Sequence, residues 1–245
     1  MSSILKLALV LAAFLPHPGA AETPVETAKA WIARYHEDPT LLDRARDVLL
    51  TALQTDRQVD TMITLARTYF QIGDVRARST DEKLAAYERG RDIGRRAIEL
   101  APRNEDAHLW YAANTGRWGQ TKGVVRSLFL LPTLREELGT IFAINPRSAP
   151  GHDIAGTLAF ELPGVLGGDR AKAEEHYKKA LETDPHYTLA RVDLARLLIA
   201  TGRHAEARRE LARVLDECAP TSRSDFTVKD APRARELLQS IKDRR

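Results

Sequence analysis

Apolar residues recur along this chain at helical spacing and are cut into blocks by prolines. Pro102, Pro146, Pro185 and Pro220 close the runs "AIELAP", "IFAINP", "ALETDP" and "LDECAP", 44, 39 and 35 residues apart. Ahead of the first three stands an apolar residue five positions back: Ala97, Ile141 and Ala180. A helix should stop before each proline, because the residue ahead of proline is pushed out of the α region. The blocks also resemble one another. "GGDRAKAEEHYKKALETD" matches "TGRHAEARRELARVLDEC" at an offset of 34, which sets Gly168 on Gly202, Ala173 on Ala207, Tyr177 on Leu211 and Leu181 on Leu215. "AHLWYAANTG" matches "GHDIAGTLAF", with His108 on His152 and Ala112 on Gly156; Ala66 and Ala195 hold the same small-residue position. A small side chain there lets two helices approach closely.

This pattern predicts helical hairpins over roughly 58–102, 105–146, 149–185 and 187–219. Earlier helices are expected near 24–36 and 40–55, and a last one near 229–243, where Ala231, Ala234, Leu237, Leu238 and Ile241 share a helical face. No segment reads convincingly as a strand. The expected fold class is all-α, an α-solenoid of about four stacked hairpins with extra N- and C-terminal helices. The domain reading is an export signal over 1–21, N-terminal helices over 22–57, the repeats over 58–220 and a C-terminal capping helix over 221–245.

Two departures from the repeat carry information. Between Gly156 and Ala173 one unit holds about five extra residues, in "FELPGVLGGD". "TKGVVRSLFLLPTLREELGTIF" is too long and apolar for an ordinary second helix. Extra apolar segments on a repeat array lie on its working face or cap the edge of its core.

The first helix of each hairpin is expected to line a concave groove. Counting from the small-residue anchors places Ile63, Arg67 and Phe70 there, then Leu109, Ala113, Asn114, Arg117 and Trp118. The later hairpins contribute Asp153, Thr157, Phe160, Leu189, Val192, Arg196 and Ile199. Of these, Arg67, Phe70, Leu109, Asn114, Arg117, Trp118, Thr157, Phe160, Val192, Arg196 and Ile199 are the candidate ligand or partner residues. The predicted groove is largely apolar with three arginines. Two occupants fit it: the chain's own C-terminal helix, or an apolar ligand whose acidic or polar head is held by arginine. Trp118 either seals the array's own core or borders the ligand.

Composition narrows the function classes. The N-terminal "MSSILKLALVLAAFLPHPGAA" has one cation, a short apolar run and small residues at its end. That is the layout of a secretory signal with cleavage expected after Ala21, and it implies a periplasmic protein. The run is too short to span a membrane, which takes about 20 apolar residues. The one cysteine, Cys218, excludes a disulfide framework and reads as a small packing residue. Formal charge is +3, or +2 without Lys6, and aromatics are only 6%; nucleic-acid binding is not suggested. No GxSxG, HExxH, GxGxxG or GxxxxGK[ST] pattern occurs, and none of the seven histidines forms an i, i+4 pair. The equivalent repeat positions of His108 and His152 argue for packing. Asp169 reads as a helix N-cap. No catalytic residue, metal or cofactor is expected.

"AIELAP…DAHLWYAANTGRWGQTKG", "LREELGTIFAINPRSAPGHDIAGTLAFELP" and "GGDRAKAEEHYKKALETDPHYTLARVDLARLLIATGRHAEARREL" resemble tetratricopeptide repeats. Within that class they resemble the periplasmic T-component of tripartite ATP-independent periplasmic (TRAP) transporters and, more distantly, the regulator of microtubule dynamics proteins of animals. The resemblance implies a non-catalytic fold with a hydrophobic channel. From the transporter side it implies a substrate-binding protein as partner, and from the animal side a lipid-handling module. A scaffold for cell-envelope or enzyme-complex assembly is the alternative. The transporter family is often lipid-anchored, and no cysteine follows the signal here.

Overall fold

The computed structural model describes residues 22–55 and 58–244, with the side chains of 124–126 left aside. The expected export segment lies outside the described residues. Along the chain come α1 (Pro24–Ala33), α2 (Leu41–Thr55), α3 (Val59–Gln71), a π-helical turn over Ile72–Arg76 and α4 (Thr80–Leu100). Then follow α5 (Glu105–Lys122), α6 (Val124–Phe129), α7 (Leu131–Ile144), α8 (Ala149–Glu161), α9 (Arg170–Thr183), α10 (Thr188–Ala200) and α11 (His204–Leu215). The chain ends with the short α12 (Arg223–Asp225), a second π-helical turn over Phe226–Asp230 and α13 (Ala231–Ser240). Among the described residues there is no strand, and no helix is long and apolar enough to cross a membrane.

α1, α4, α5, α8 and α9 begin where the sequence supplies a cap. Thr23 and Ser79 form capping boxes with Glu26 and Glu82, and the Asn104, Ser148 and Asp169 side chains accept from backbone N–H groups of their first turns. Each cap satisfies donors that a helix start otherwise leaves open. The helices pair into consecutive hairpins: α1/α2, α3/α4, α5/α7, α8/α9 and α10/α11. The N-terminal pair is thus a fifth hairpin, because Ala28, Ile32, Leu42, Ala45 and Leu49 share one core with Leu65 and Tyr69 of α3. Ala97, Ile141 and Ala180, each five residues ahead of a proline, are fully buried. So are the anchors Ala66, Ala112 and Ala195. At the fourth anchor a Cβ on Gly156 would lie 2.7 Å from the Tyr177 ring, so glycine is what lets α8 close on α9.

The repeat histidines hold the inter-hairpin turns. His108 Nε2 donates to the Pro102 carbonyl at 3.0 Å, and His152 Nε2 donates to that of Pro146 at 3.1 Å. Arg191 serves the same turn in the last repeat, donating to the Pro185 carbonyl at 2.8 Å. The second ring nitrogens differ: Nδ1 of His108 meets Glu137 at 2.6 Å, and that of His152 meets Nδ1 of His176 at 3.0 Å. Burial pulls both His152 and His176 below the ordinary histidine range. The neutral pair therefore has one consistent arrangement, with His176 Nδ1–H donating to His152 Nδ1.

The long apolar segment breaks in two. α5 runs on to Lys122, α6 folds back against it, and α7 serves as the second helix. Phe129, at the end of α6, is 75% exposed. The five-residue insertion becomes a loop tied to α7 by Arg135 Nη2 donating to the Leu166 carbonyl at 2.5 Å. Cys218 is exposed in the loop after α11 rather than packed; the helix ends at Leu215, before it could bury this side chain.

The C-terminus does two jobs. α13 caps the last hairpin, with Ala234, Leu237 and Ile241 in the core of α10 and α11. The segment before it, 222–230, crosses to the first hairpin. Tyr35 OH donates to Asp225 Oδ1 at 2.8 Å, and Ser224 Oγ donates to the Ala33 carbonyl at 2.7 Å. These bonds span 190 and 191 residues and close the array into a ring.

Candidate functional site: the charged inner face

Each first helix turns one stripe of side chains toward the concavity. In α3 and the π-turn after it these are Arg67, Phe70 and Asp74; in α5, Trp110, Arg117 and Gln120. In α8 they are Asp153, Phe160 and Glu161, and in α10, Asp193 and Arg196. The crossing segment adds Lys229 and Asp230. At one end sits an aromatic pair, Phe70 and Trp110, edge to face at 5.6 Å. Cations cover it: Arg67 lies 5.5 Å from the Trp110 centroid, and Arg117 and Lys229 lie 5.7 and 5.8 Å from that of Phe70. Cation–π attraction of this kind holds a guanidinium in place while leaving its N–H groups available.

A continuous polar relay runs along the face. Tyr87 OH donates to Asp74 Oδ1 at 2.7 Å, and Arg117 pairs with the same carboxylate at 3.4 Å. Arg117 then donates to Gln120 at 3.3 Å, and Gln120 to Glu161 at 2.7 Å. Arg196 joins Glu161 at 3.4 Å to Asp193 at 2.7 Å. Arg117 lies deep in the molecule, where burial opposes its charge and Asp74, Tyr87, Asp193 and Glu161 together outweigh that, keeping it charged. Its side chain is nonetheless 42% exposed, so it lines an internal hollow open to water. An open cleft of about 400 Å³ lies against it, lined by Asp74, Lys83, Tyr87, Gln120 and Thr121 as well.

Three carboxyl groups at the α8 and α10 end are held protonated more strongly than usual. Burial pushes Asp153 well above the ordinary range, reinforced by the Asp193 and Asp230 charges. Asp153 is 5% exposed and its Oδ1 has no hydrogen-bond partner among the described residues. Asp193 is raised by burial against the pull of Arg196. Asp230, which accepts from Thr188 Oγ1 at 2.7 Å, is pushed up to about 6 by burial. Among the described residues no cluster of His, Cys, Asp and Glu could hold a metal ion.

Of the residues picked from sequence, Arg67, Phe70 and Arg117 are brought together at one end of the face, and Phe160 and Arg196 at the other. The others are elsewhere. Leu109 packs with Leu138, Ile141 and Ala155, and Val192 belongs to the core of the last hairpins, with Ile199 and Phe160 both partly buried against it. Thr157 is hydrogen-bonded to Tyr177 OH inside its hairpin at 3.2 Å. Asn114 is fully buried and donates to the carbonyls of Ala66 and Trp110, at 3.0 and 2.8 Å, joining α3 to α5. A Cβ on Gly90 would collide with its amide. Trp118 faces α4, half-buried, with the Arg91 guanidinium 4.8 Å and the Lys122 amine 5.6 Å from its ring. The groove is therefore charged rather than apolar. The reason is register: one residue is about 100° around a helix, so Asp193 looks inward and its neighbour Val192 looks into the core. Asp74, Gln120, Glu161, Asp193, Lys229 and Asp230 were missed. The signal for one pair was present, since Asp193 and Arg196 are i, i+3 charges inside the otherwise apolar "LARVDLARLLIATG".

An apolar cleft of about 290 Å³ lies outside this face. It is bounded by Leu138, Phe142, Leu158 and Leu162 between α7, α8 and the inserted loop, with Arg135 and His176 also lining it.

A family model described as "Regulator of microtubule dynamics protein 1-3" matches residues 26–165. The chain belongs to this family. A tetratricopeptide-repeat model matches residues 166–220. Regulator of microtubule dynamics protein 3 of Mus musculus is 23% identical over 168 residues, and that of Rattus norvegicus 23% over 170. These alignments take in 61% and 62% of this chain, and 35% and 36% of the relatives. The chain thus spans about a third of the length of the curated relatives it matches. Among solved structures, TTC0263, a thermophilic tetratricopeptide-repeat protein of Thermus thermophilus, matches with a TM-score of 0.63 and 21% identity, over 86% of this chain and 99% of that one. That likeness bears on the fold, which is an all-α tetratricopeptide-type solenoid as the repeat period implied. The matched families indicate no enzyme family. The family shown is the one the sequence ranked second.

Proposed function

We propose that this chain is a non-catalytic binding scaffold whose inner face holds a carboxylate-bearing segment of a partner protein. The observation that carries the reading is Arg117: a guanidinium set on Phe70, deep in a water-open hollow, sharing one carboxylate at 3.4 Å and bordering a cleft. A partner carboxylate would meet pre-positioned N–H donors there. The export-type N-terminus and the transporter-like motifs support a finer assignment. In it the chain is exported to the periplasm, serves as an accessory component of a TRAP-type transport system, and takes a substrate-binding protein as partner. Assembly of the cell envelope or of an enzyme complex would use the same surface with another partner.

A second reading, an apolar or lipid-like ligand, is favoured by the apolar cleft between α7, α8 and the inserted loop rather than by the inner face. Affinity capture from periplasmic extract, run with the wild-type chain and Arg117→Ala, separates these. A substrate-binding protein held by the first and lost by the second supports the transport reading. Envelope-synthesis proteins in its place support assembly. Capture indifferent to Arg117 overturns the inner-face site. Mass spectrometry of an organic extract of the purified chain reports on the lipid-like ligand.

A further inference from the structure

We propose that residues 222–230 are the internal occupant of a helix-binding site on the first hairpin, and that the scaffold's partner fills that site with a helical segment of matching chemistry. The proposal deepens the binding-scaffold reading and rests on it. The segment has two unlike sides. Phe226 packs into the core of α10, α11 and α13, continuous with the anchored α13. The opposite side meets the first two hairpins across polar contacts: Asp225 with Tyr35 OH, and Ser224 with the Ala33 carbonyl and with His36 Nδ1 at 2.8 Å. Lys229 pairs with Asp225 at 2.6 Å and Asp74 at 3.4 Å, and lies over Phe70. The one apolar contribution on this side is Val228, against the N-terminal core.

Hydrogen bonds and ion pairs of this kind exchange readily for equivalents offered by another chain. An apolar core does not. The seam is therefore the line along which the ring opens, with the segment staying on the last hairpin. Its backbone supports this. It is a three-residue helix followed by a π-helical turn, a geometry rare in helices and frequent at functional sites. Opening bares Tyr35 OH, the Ala33 carbonyl, Asp74 and Phe70 together. The partner they fit carries an acid and a lysine or arginine four residues apart, with an aliphatic side chain between them, as Asp225, Val228 and Lys229 are spaced.

The test uses the full chain and a fluorescein-labelled peptide copying residues 220–232. Fluorescence anisotropy should show the peptide binding Asp225→Asn at least about tenfold more tightly than wild type, because the variant's own segment competes less well. A peptide with the Asp225 and Lys229 equivalents replaced by Asn and Ala should lose that gain. Equal affinity for both chains, or indifference to the peptide's own charges, overturns the proposal. Hydrogen exchange on the wild-type chain gives a reading that needs no variant. Amides on both sides of the seam, 33–37 and 224–230, exchanging faster than those of α13 support opening along it, and exchange at the α13 rate overturns it. Arg117-dependent partner capture together with a failed peptide test leaves the scaffold reading standing and removes only this one.

Discussion

The hairpin interfaces and the inner face are built from different faces of the same helices, on opposite principles. Between hairpins the contacts are apolar and closed: Tyr177, Leu197, Leu211, Val214 and Ile241 are essentially without solvent contact. On the inner face the contacts are charged and extended, open to water at Arg117 and buried at Asp153, Asp193 and Asp230. Burial of apolar area is the main stabilising term in folding. An exposed ion pair adds little stability but leaves groups that a partner can engage. The hairpin interfaces hold this array up, and the proposed function gives recognition to the inner face.

Four substitutions test that contrast, in falling order of expected effect. Leu211→Ala removes a fully buried side chain from the last core and should lower unfolding free energy by about 2–5 kcal/mol in urea denaturation. Asp230→Asn should alter the pH dependence of stability. The folded carboxyl titrates at about 6 against 3.8 for the free group, so between those values the folded chain binds more protons than the unfolded one. Stability then falls as pH rises through that window, by up to roughly 3 kcal/mol from this group. The variant should lack that loss, so its stability relative to wild type should rise between pH 4 and 7. Parallel profiles would contradict the assignment.

Tyr35→Phe removes the hydroxyl that donates to Asp225 and should cost about 1 kcal/mol, because Lys229 and Ser222 still pair with the carboxylate. Thermal melts with a matched Phe226→Leu control, which alters the core side of the same segment, would show whether the polar side is the weaker seam. Arg117→Ala should change stability least, by under about 1 kcal/mol, since its pair with Asp74 is long, its own side chain is 42% exposed, and Asp74 keeps Tyr87 and Lys229 as partners.

The sequence made the hairpin interfaces readable because their rules are local. Prolines stop the helices, Ala66, Ala112, Gly156 and Ala195 mark close approach, and Tyr177 and Leu211 occupy equivalent core positions. The inner face escaped for two physical reasons. Charged residues that line a hollow look like ordinary surface residues in one dimension, as Asp74, Gln120 and Glu161 do. A one-residue error in register also exchanges core for hollow, which is how Val192 was taken in place of Asp193. The seam lay further out of reach: Tyr35 and Asp225 are 190 residues apart, and no helical period links them. α13 was expected from its spacing, but nothing in that spacing marks the preceding nine residues as the crossing segment.

The most direct test measures stability and partner affinity on the same Arg117→Ala chain. The inner-face account predicts a melting temperature within about 2 °C of wild type and at least about tenfold weaker binding of the captured partner. A chain that unfolds markedly earlier while keeping its partner affinity would show that Arg117 serves the fold, and would contradict the account.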